Sequence, residues 1–411
     1  MGMKNNLWTR NFTIITLGTI ISMLGNAISG FALGVLILEM TNSSFAFAIF
    51  LALNSLPRLI VPSIAGTFLD KFSRVKVIFT LDFLSSFIYL FIFLSLRFEI
   101  LTYPMFLGLA FLIGAIDSVY SVAYDSLYPT YITPGNFSKA YSISSMIYPL
   151  AALMTPVAAF VHQRIGLEVL FVFNALAFFV AACFETRLDR NEDHVQKGVK
   201  IFKFKDFKTE FKSGLRYVYL EKGLLTITLF FFANSLFQTS VSQTLEMPYF
   251  KNNPMLGYTL FTYVSTANVL GRFIGGYLHY KFVLPEKYKF NIAMVVYVLI
   301  CFTNGFVLFM PFILMLVLNF VTGLLSVTSF NIRISSTQAY VPNQVRGRFN
   351  GTFQMMTTLG MIMGQLIWGF VGEFYDPRFI ILFGNATTLF LTFYVVYRRR
   401  ETVKPIYNQR L

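Results

Sequence analysis

The sequence predicts an all-α integral membrane protein, with twelve transmembrane helices arranged as two six-helix halves. Three observations carry that prediction. The 411 residues are 56% hydrophobic, 18% aromatic and only 13% charged, whereas soluble domains run at about 45–50% apolar and about 25% charged. Uncharged runs recur with near-regular spacing, most of them long enough for the roughly 20 helical residues that cross a bilayer core of about 30 Å. One substantial polar stretch, Arg187 to Glu221, divides these runs six and six.

The elements follow in order from the charges, prolines and glycines that punctuate the runs. The first run, 11–38, is too long for the hydrophobic part of a signal peptide and has no small-x-small cleavage signal, so it reads as a retained helix. Spans two to six are expected at 45–69, 76–96, 102–127, 140–161 and 167–185. Within the polar stretch, Phe204, Phe207, Phe211, Leu215 and Val218 recur at spacings of three and four among charges. They form an amphipathic helix on the inner membrane surface, read as a solvated linker in preference to a regulatory element. Spans seven to twelve are expected at 223–246, 255–280, 290–309, 311–337, 349–372 and 379–397. Phe290 to Ile332 carries no charge and is too long for one helix, so it divides at Met310-Pro311, where proline starts a new helix. The organisation is therefore an N-terminal half (1–186), a linker (187–221), a C-terminal half (222–400) and a cytoplasmic tail (401–411).

The net charge of +14 belongs to this layout and not to nucleic-acid binding, because the basic residues flank apolar segments and form no face on a polar domain. Of the 33 lysines and arginines, only Arg97, Arg164, Lys251 and Arg378 fall on the outer side, and Arg58, Arg272 and Arg333 lie within spans. The remainder lie inside, which places both termini in the cytoplasm of a multi-pass cell-membrane protein. Cys183 and Cys301 each sit inside an apolar run, so neither a disulfide framework nor a zinc site is expected. No Walker-type phosphate loop is present, and no nucleophile-base or metal constellation marks an enzyme: His162, His194 and His279 lie at span ends or in the linker.

An offset of 209 residues superimposes Gly66 and Leu69 on Gly275 and Leu278, Tyr131 on Tyr340, and Met146, Leu150 and Met154 on Met355, Leu359 and Met363. A constant offset across separate helices marks an internal repeat of the two halves.

The turn after span two reads Gly66-Thr-Phe-Leu-Asp70-Lys71-Phe-Ser73-Arg74-Val-Lys76. It resembles the glycine-x-x-x-aspartate-basic-x-glycine-arginine-x-basic loop of the major facilitator superfamily, with Ser73 in place of the second glycine. The resemblance implies that fold, with a substrate site near the midplane reached by alternating access. It also implies a cytoplasmic gate in which Asp70 caps span eleven and Arg74 meets an acid at the inner end of span four. Asp125 lies there, and the gate is favoured over the reading in which Lys71, Arg74, Lys76 and Asp125 are ordinary helix-end charges. In the second half the corresponding turn, Gly275-Gly276-Tyr-Leu-His279-Tyr-Lys281, keeps only the packing glycines.

Arg58 lies about 18 Å, and Asp117 about 16 Å, from the inner face by helical rise. At similar depth they form either a fixed ion pair or a site for a proton or substrate. Asp117 is the carboxylate expected to carry a coupling proton; Asp82, two turns into span three, is a third candidate, and it pairs alternatively with Arg58 or the inner gate. Polar residues elsewhere in the spans include Asn26, Asn234, Gln238, Asn268, Asn319 and Gln365, which serve as interhelical glue or as ligands. In the superfamily, spans one, four, seven and ten line the cavity, which implies Asn26, Asp117, Asn234, Gln238 and Asn319 as its lining.

The segment Gln338-Ala-Tyr-Val-Pro342-Asn-Gln-Val-Arg346-Gly347-Arg348 resembles the loop of the branch containing macrolide and siderophore exporters, while Met154-Thr155-Pro156-Val157 stands where that branch has a glycine-proline pair. The resemblance implies a monomeric secondary transporter driven by the proton gradient and needing no cofactor, exporting an amphipathic compound. Arg272 and Arg333 favour the alternative of a siderophore or other anionic metabolite. A membrane-embedded enzyme or a transport-dead receptor stands as the reading from a different class.

Overall fold

The computed structural model describes residues 6–62, 69, 72–133, 136–189, 204–282 and 284–409. Gly66, Asp70, Lys71 and the linker residues 190–203 lie outside them. Among the described residues the chain is helical and contains no strand. It divides into two compact units, one of residues 1–42 and 53–202, the other of 43–52 and 203–411.

The first unit is built on α1 (Arg10–Thr41), α3 (Arg74–Arg97), α4 (Tyr103–Leu127), α5 (Phe137–Ala152), α6 (Met154–Ile165) and α7 (Glu168–Glu185). Thr9 caps α1 by accepting from the Phe12 amide at 3.3 Å, and Ser73 caps α3 by accepting from the Lys76 amide at 3.2 Å. The serine standing in the motif's glycine position is thus the N-cap of the next helix. A cluster of Phe12, Ile15, Val75, Ile78, Ala123, Leu127 and Tyr128 binds one end of α1, α3 and α4 together. On α3 the opposite face is apolar and open: Leu84, Phe87, Leu90, Phe91 and Leu94 are all exposed. An apolar stripe of that length is a surface for hydrocarbon, not water.

Helix α2 (Ser44–Ser55) opens in the second unit, which continues with α8 (Phe204–Leu220), α9 (Lys222–Asn234), α10 (Ser240–Asn252), α11 (Gly257–Lys281), α12 (Lys289–Phe306), α13 (Phe312–Tyr340), α14 (Asn343–Val371), α15 (Pro377–Leu391) and α16 (Arg400–Tyr407). Glu373 fastens the start of α2 there, its Oε1 accepting from the Ser43 hydroxyl and the Phe45 amide, each at 2.7 Å. Helices α11 and α13 pack at glycine level: a Cβ on Gly271 would run into the Phe320 carbonyl, and one on Gly323 into that of Asn268. A π-helical turn, Ser235–Thr239, joins α9 to α10.

Eight helical segments among the described residues are long and apolar enough to cross a membrane, against the twelve spans expected. The difference has local causes. Pro57 ends α2 in a short 3-10 turn, Leu56–Leu59. The expected span 140–161 is two helices meeting at Leu153, because Pro156 cannot donate to the Ala152 carbonyl. Helices α11 and α14, 25 and 29 residues long, have the length but carry amides, hydroxyls and arginines along it. The division at Met310-Pro311 is present as expected, with a 3-10 turn at Val307–Phe309 before it and Pro311 capping α13. The described residues of the expected tail, 401–409, are largely α16, whose Val403, Ile406 and Tyr407 are buried in the core with Leu224, Phe290 and Ile332.

Candidate functional site

In the first unit the membrane-depth charges fall into two groups. Arg58, held by the 3-10 turn after α2, approaches Asp117 of α4 at 3.9 Å, with 51% and 35% of the two side chains exposed. The pair expected from depth alone is therefore present, long and partly open.

The second group is enclosed. Asp82 of α3 is 2% exposed and Glu185 of α7 is 0% exposed. Ser22 of α1 donates to Asp82 Oδ2 at 2.7 Å, and the Tyr120 hydroxyl of α4 donates to Glu185 Oε1 at 3.2 Å. Glu185 Oε2 is buried without a hydrogen-bond partner among the described residues. Gly18 of α1 makes the room: a Cβ there would lie 3.0 Å from Glu185 Cγ and Oε1. Along α4, Tyr120, Tyr124 and Tyr128 follow at four-residue spacing with their rings stacked, 6.3 and 5.1 Å between successive centroids.

Of the expected gate, Arg74 and Asp125 fall among the described residues. Arg74 donates to the Ser126 carbonyl at 3.0 Å, which brings it to the last turn of α4 next to Asp125. Asp125 itself is exposed. The carbonyl is available because the last turn of a helix leaves acceptors unbonded.

In the second unit, all three amides expected to line the cavity, Asn234, Gln238 and Asn319, take part in hydrogen bonds within or between helices. Asn234 donates to Gln238 at 2.6 Å, and buried Gln238 donates onward to Asn385 of α15 at 2.7 Å and to the Cys301 sulfur at 3.5 Å. Asn319 donates to the Met315 carbonyl and accepts, through its own carbonyl, from Asn268 of α11. Asn26 is half-buried, and its carbonyl accepts from Ser29. His279 bonds the Thr328 hydroxyl at 2.8 Å, a packing contact between α11 and α13. Arg272 is exposed and bonds Asn268 at 3.0 Å. Arg333 lies over the rings of Phe353, Phe330 and Phe231, with 4.5, 5.2 and 5.3 Å to their centroids.

Sequence reasoning missed Glu185, Glu246 and Asn385. Glu185 reads as a helix-end acid because Arg187 follows it, although Asn174, Phe178, Ala181 and Glu185, at spacings of four, three and four, mark one buried stripe of α7. Glu246 is the single carboxylate between Lys222 and Lys251, half-buried one turn beyond Ser242. Among the described residues no three histidine, cysteine or acidic side chains gather as metal ligands. What the first unit presents is thus carboxyls able to hold a proton, with hydroxyls around them and one guanidinium at hand.

Comparison with known proteins places this architecture. The crystal structure of the nucleoside transporter NupG superposes with a TM-score of 0.70 over 94% of this chain and 99% of that chain, at 14% identity. The crystal structure of the peptide transporter POT in complex with sulfate gives 0.68 over 98% and 96%, at 11% identity. At such identities the shared property is the fold. The uncharacterized MFS-type transporter YkuC of Bacillus subtilis (strain 168) is 22% identical over 230 residues, 54% of this chain and 53% of that protein, so the match spans about half the length of the curated relative. The family model of the major facilitator superfamily matches residues 15–364, most of the chain, and the chain belongs to that superfamily.

Proposed function

We propose that the protein is a secondary active transporter of the cell membrane that exports an amphipathic small molecule in exchange for protons by alternating access, with both termini cytoplasmic. The observation that carries the proton coupling is the enclosure of Asp82 and Glu185 in one unit, with hydroxyl donors from Ser22 and Tyr120 and, among the described residues, no cation bonded to either. Enclosed carboxylates of this kind are costly unless they are used. Asp117, open beside Arg58, is the second proton-exchanging group of the same unit. Export, and a drug- or macrolide-like substrate, draw on the loop Pro342 to Arg348 and on the aromatic-rich spans. A binding module or enzyme would leave the enclosed pair without a task.

The test uses proteoliposomes containing a trapped pH-sensitive dye and an imposed pH gradient, given a panel of cationic, neutral and anionic amphipaths. At least one compound should dissipate the gradient, and Glu185→Gln should abolish that flux while compound binding persists. A panel without effect on the native protein overturns the reading. Single cysteines at Gln196 and Asn252 test orientation: from outside intact cells an impermeant reagent should label only the second.

A further inference from the structure

We propose that Arg333 is an anion-receiving group of the second unit, and that the transported solute carries a carboxylate or similarly compact oxyanion on an apolar body; this deepens the transporter reading and rests on it.

The three arginines within spans are satisfied differently. Arg58 has the Asp117 carboxylate and Arg272 has the Asn268 amide oxygen. Arg333, seven residues and so about 10 Å from the end of α13, meets only ring faces: Phe330 of its own helix, Phe231 of α9 and Phe353 of α14. Ring faces stabilise the charge of a guanidinium but accept none of its five in-plane N–H groups. No hydrogen bond or ion pair to those groups is formed by the described residues. The groups facing it from the packed helices are two hydroxyls, Tyr297 of α12 and Tyr407 of α16, 2.9 Å from each other. No carboxylate is among them. The side chain is half-buried, so its fork is neither sealed in the core nor spent on a protein acceptor. Of the arginines nearer the helix ends, Arg346 finds the Val341 carbonyl and Arg378 the Asp376 carboxylate, whereas Arg164 and Arg398 meet rings as Arg333 does.

Charge at membrane depth without a protein counter-charge implies that the counter-charge arrives from outside the chain. A planar fork set among three rings matches a carboxylate, which it can take bidentately, and the same rings offer apolar surface to the remainder of the molecule. A lysine would supply the charge without the fork.

The probes are benzoate, its neutral isostere benzamide, and sulfate, added to the purified full chain in detergent while its melting temperature is followed. Benzoate should raise the melting temperature, and benzamide should not. Arg333→Gln should remove the benzoate effect, and Arg333→Lys, which keeps the charge and controls for loss of folding, should weaken apparent affinity by about ten-fold. A benzoate effect that survives in Arg333→Gln, or no benzoate effect on the native chain, overturns the proposal. Sulfate acting as strongly as benzoate overturns the apolar-body part of it. These readouts need no gradient: if benzoate binding depends on Arg333 while no compound moves protons in vesicles, the anion site stands and the proton-coupled reading falls.

Discussion

Gly18 leaves the space that Glu185 fills: the glutamate's Cγ and Oε1 come within 3.0 Å of where a Cβ on Gly18 would stand. A methyl group there does not meet backbone; it pushes on a side chain whose carboxyl already accepts from Tyr120. Gly18→Ala is expected to fold, to cost about 1–3 kcal/mol through overpacking, and to lose most proton-driven flux because the enclosed Glu185 carboxyl is displaced. Melting temperature and dye-reported flux check the two halves of that statement. Full flux in Gly18→Ala would show that the pair tolerates displacement and holds no coupling proton.

The Gln238–Asn385 bond predicts a different pattern, one of stability. Both side chains are buried, and the bond ties the π-helical turn to α15. Gln238→Leu leaves Asn385 Oδ1 unsatisfied and should cost about 1–3 kcal/mol. Adding Asn385→Leu removes the orphan and should recover part of the loss, a non-additivity expected of residues in contact. Equal and additive losses would remove the glue reading and return Gln238 to the lining of a cavity.

These two cases separate what a sequence discloses from what it hides. Depth along a helix is a count of residues, so the pairing of Arg58 with Asp117 is legible in the chain itself, as is the helix start at Pro311. Which way a polar side chain turns is not a count. Gln238 and Asn319 read from sequence as interhelical glue or as cavity lining, and it takes the structure to show their bonds with Asn385 and Asn268. Glu185 is hidden because the Arg187 that follows it makes a helix-end acid the simpler reading, and only its packing on Gly18 reveals that it is enclosed. Arg74 shows how far a motif reaches: it brings the guanidinium to the last turn of α4, and the acceptor seen there is the Ser126 carbonyl. Eight of the twelve expected runs meet both length and apolarity among the described residues, since Pro57 and Pro156 interrupt two runs and α11 and α14 carry polar side chains along theirs.

Outside the spans, Asp376 gives a pH prediction. Its side chain caps α15 through the Arg378 amide, and the Arg378 guanidinium bonded to it holds the carboxyl below the ordinary aspartate range. A carboxyl depressed in the folded state contributes stability that is complete above the unfolded value, about pH 4, and is lost as pH falls through the folded one. The pair is partly exposed and screened, so the effect is small. Asp376→Asn should therefore melt slightly below the native protein at pH 6, and the gap should close below about pH 4. A gap that widens on acidification would contradict the sign.

The Arg58–Asp117 pair separates structure from coupling. At 3.9 Å, with half of the arginine side chain and a third of the aspartate exposed, it resembles partly solvated ion pairs worth about 0–1 kcal/mol. Neutralising one member should then hardly move the melting temperature, since neither charge is left enclosed without water. Transport responds otherwise if Asp117 exchanges protons with the enclosed pair: Asp117→Asn should abolish accumulation against a gradient in vesicles given a proton gradient, while binding of the compound is retained. Arg58→Gln should keep accumulation and shift its pH dependence, because the guanidinium sets how readily the carboxylate takes a proton. A drop of several degrees in the melting temperature of Asp117→Asn, with accumulation retained, would make the pair a brace between α4 and the turn after α2, and would leave Asp82 and Glu185 to carry the proton without it.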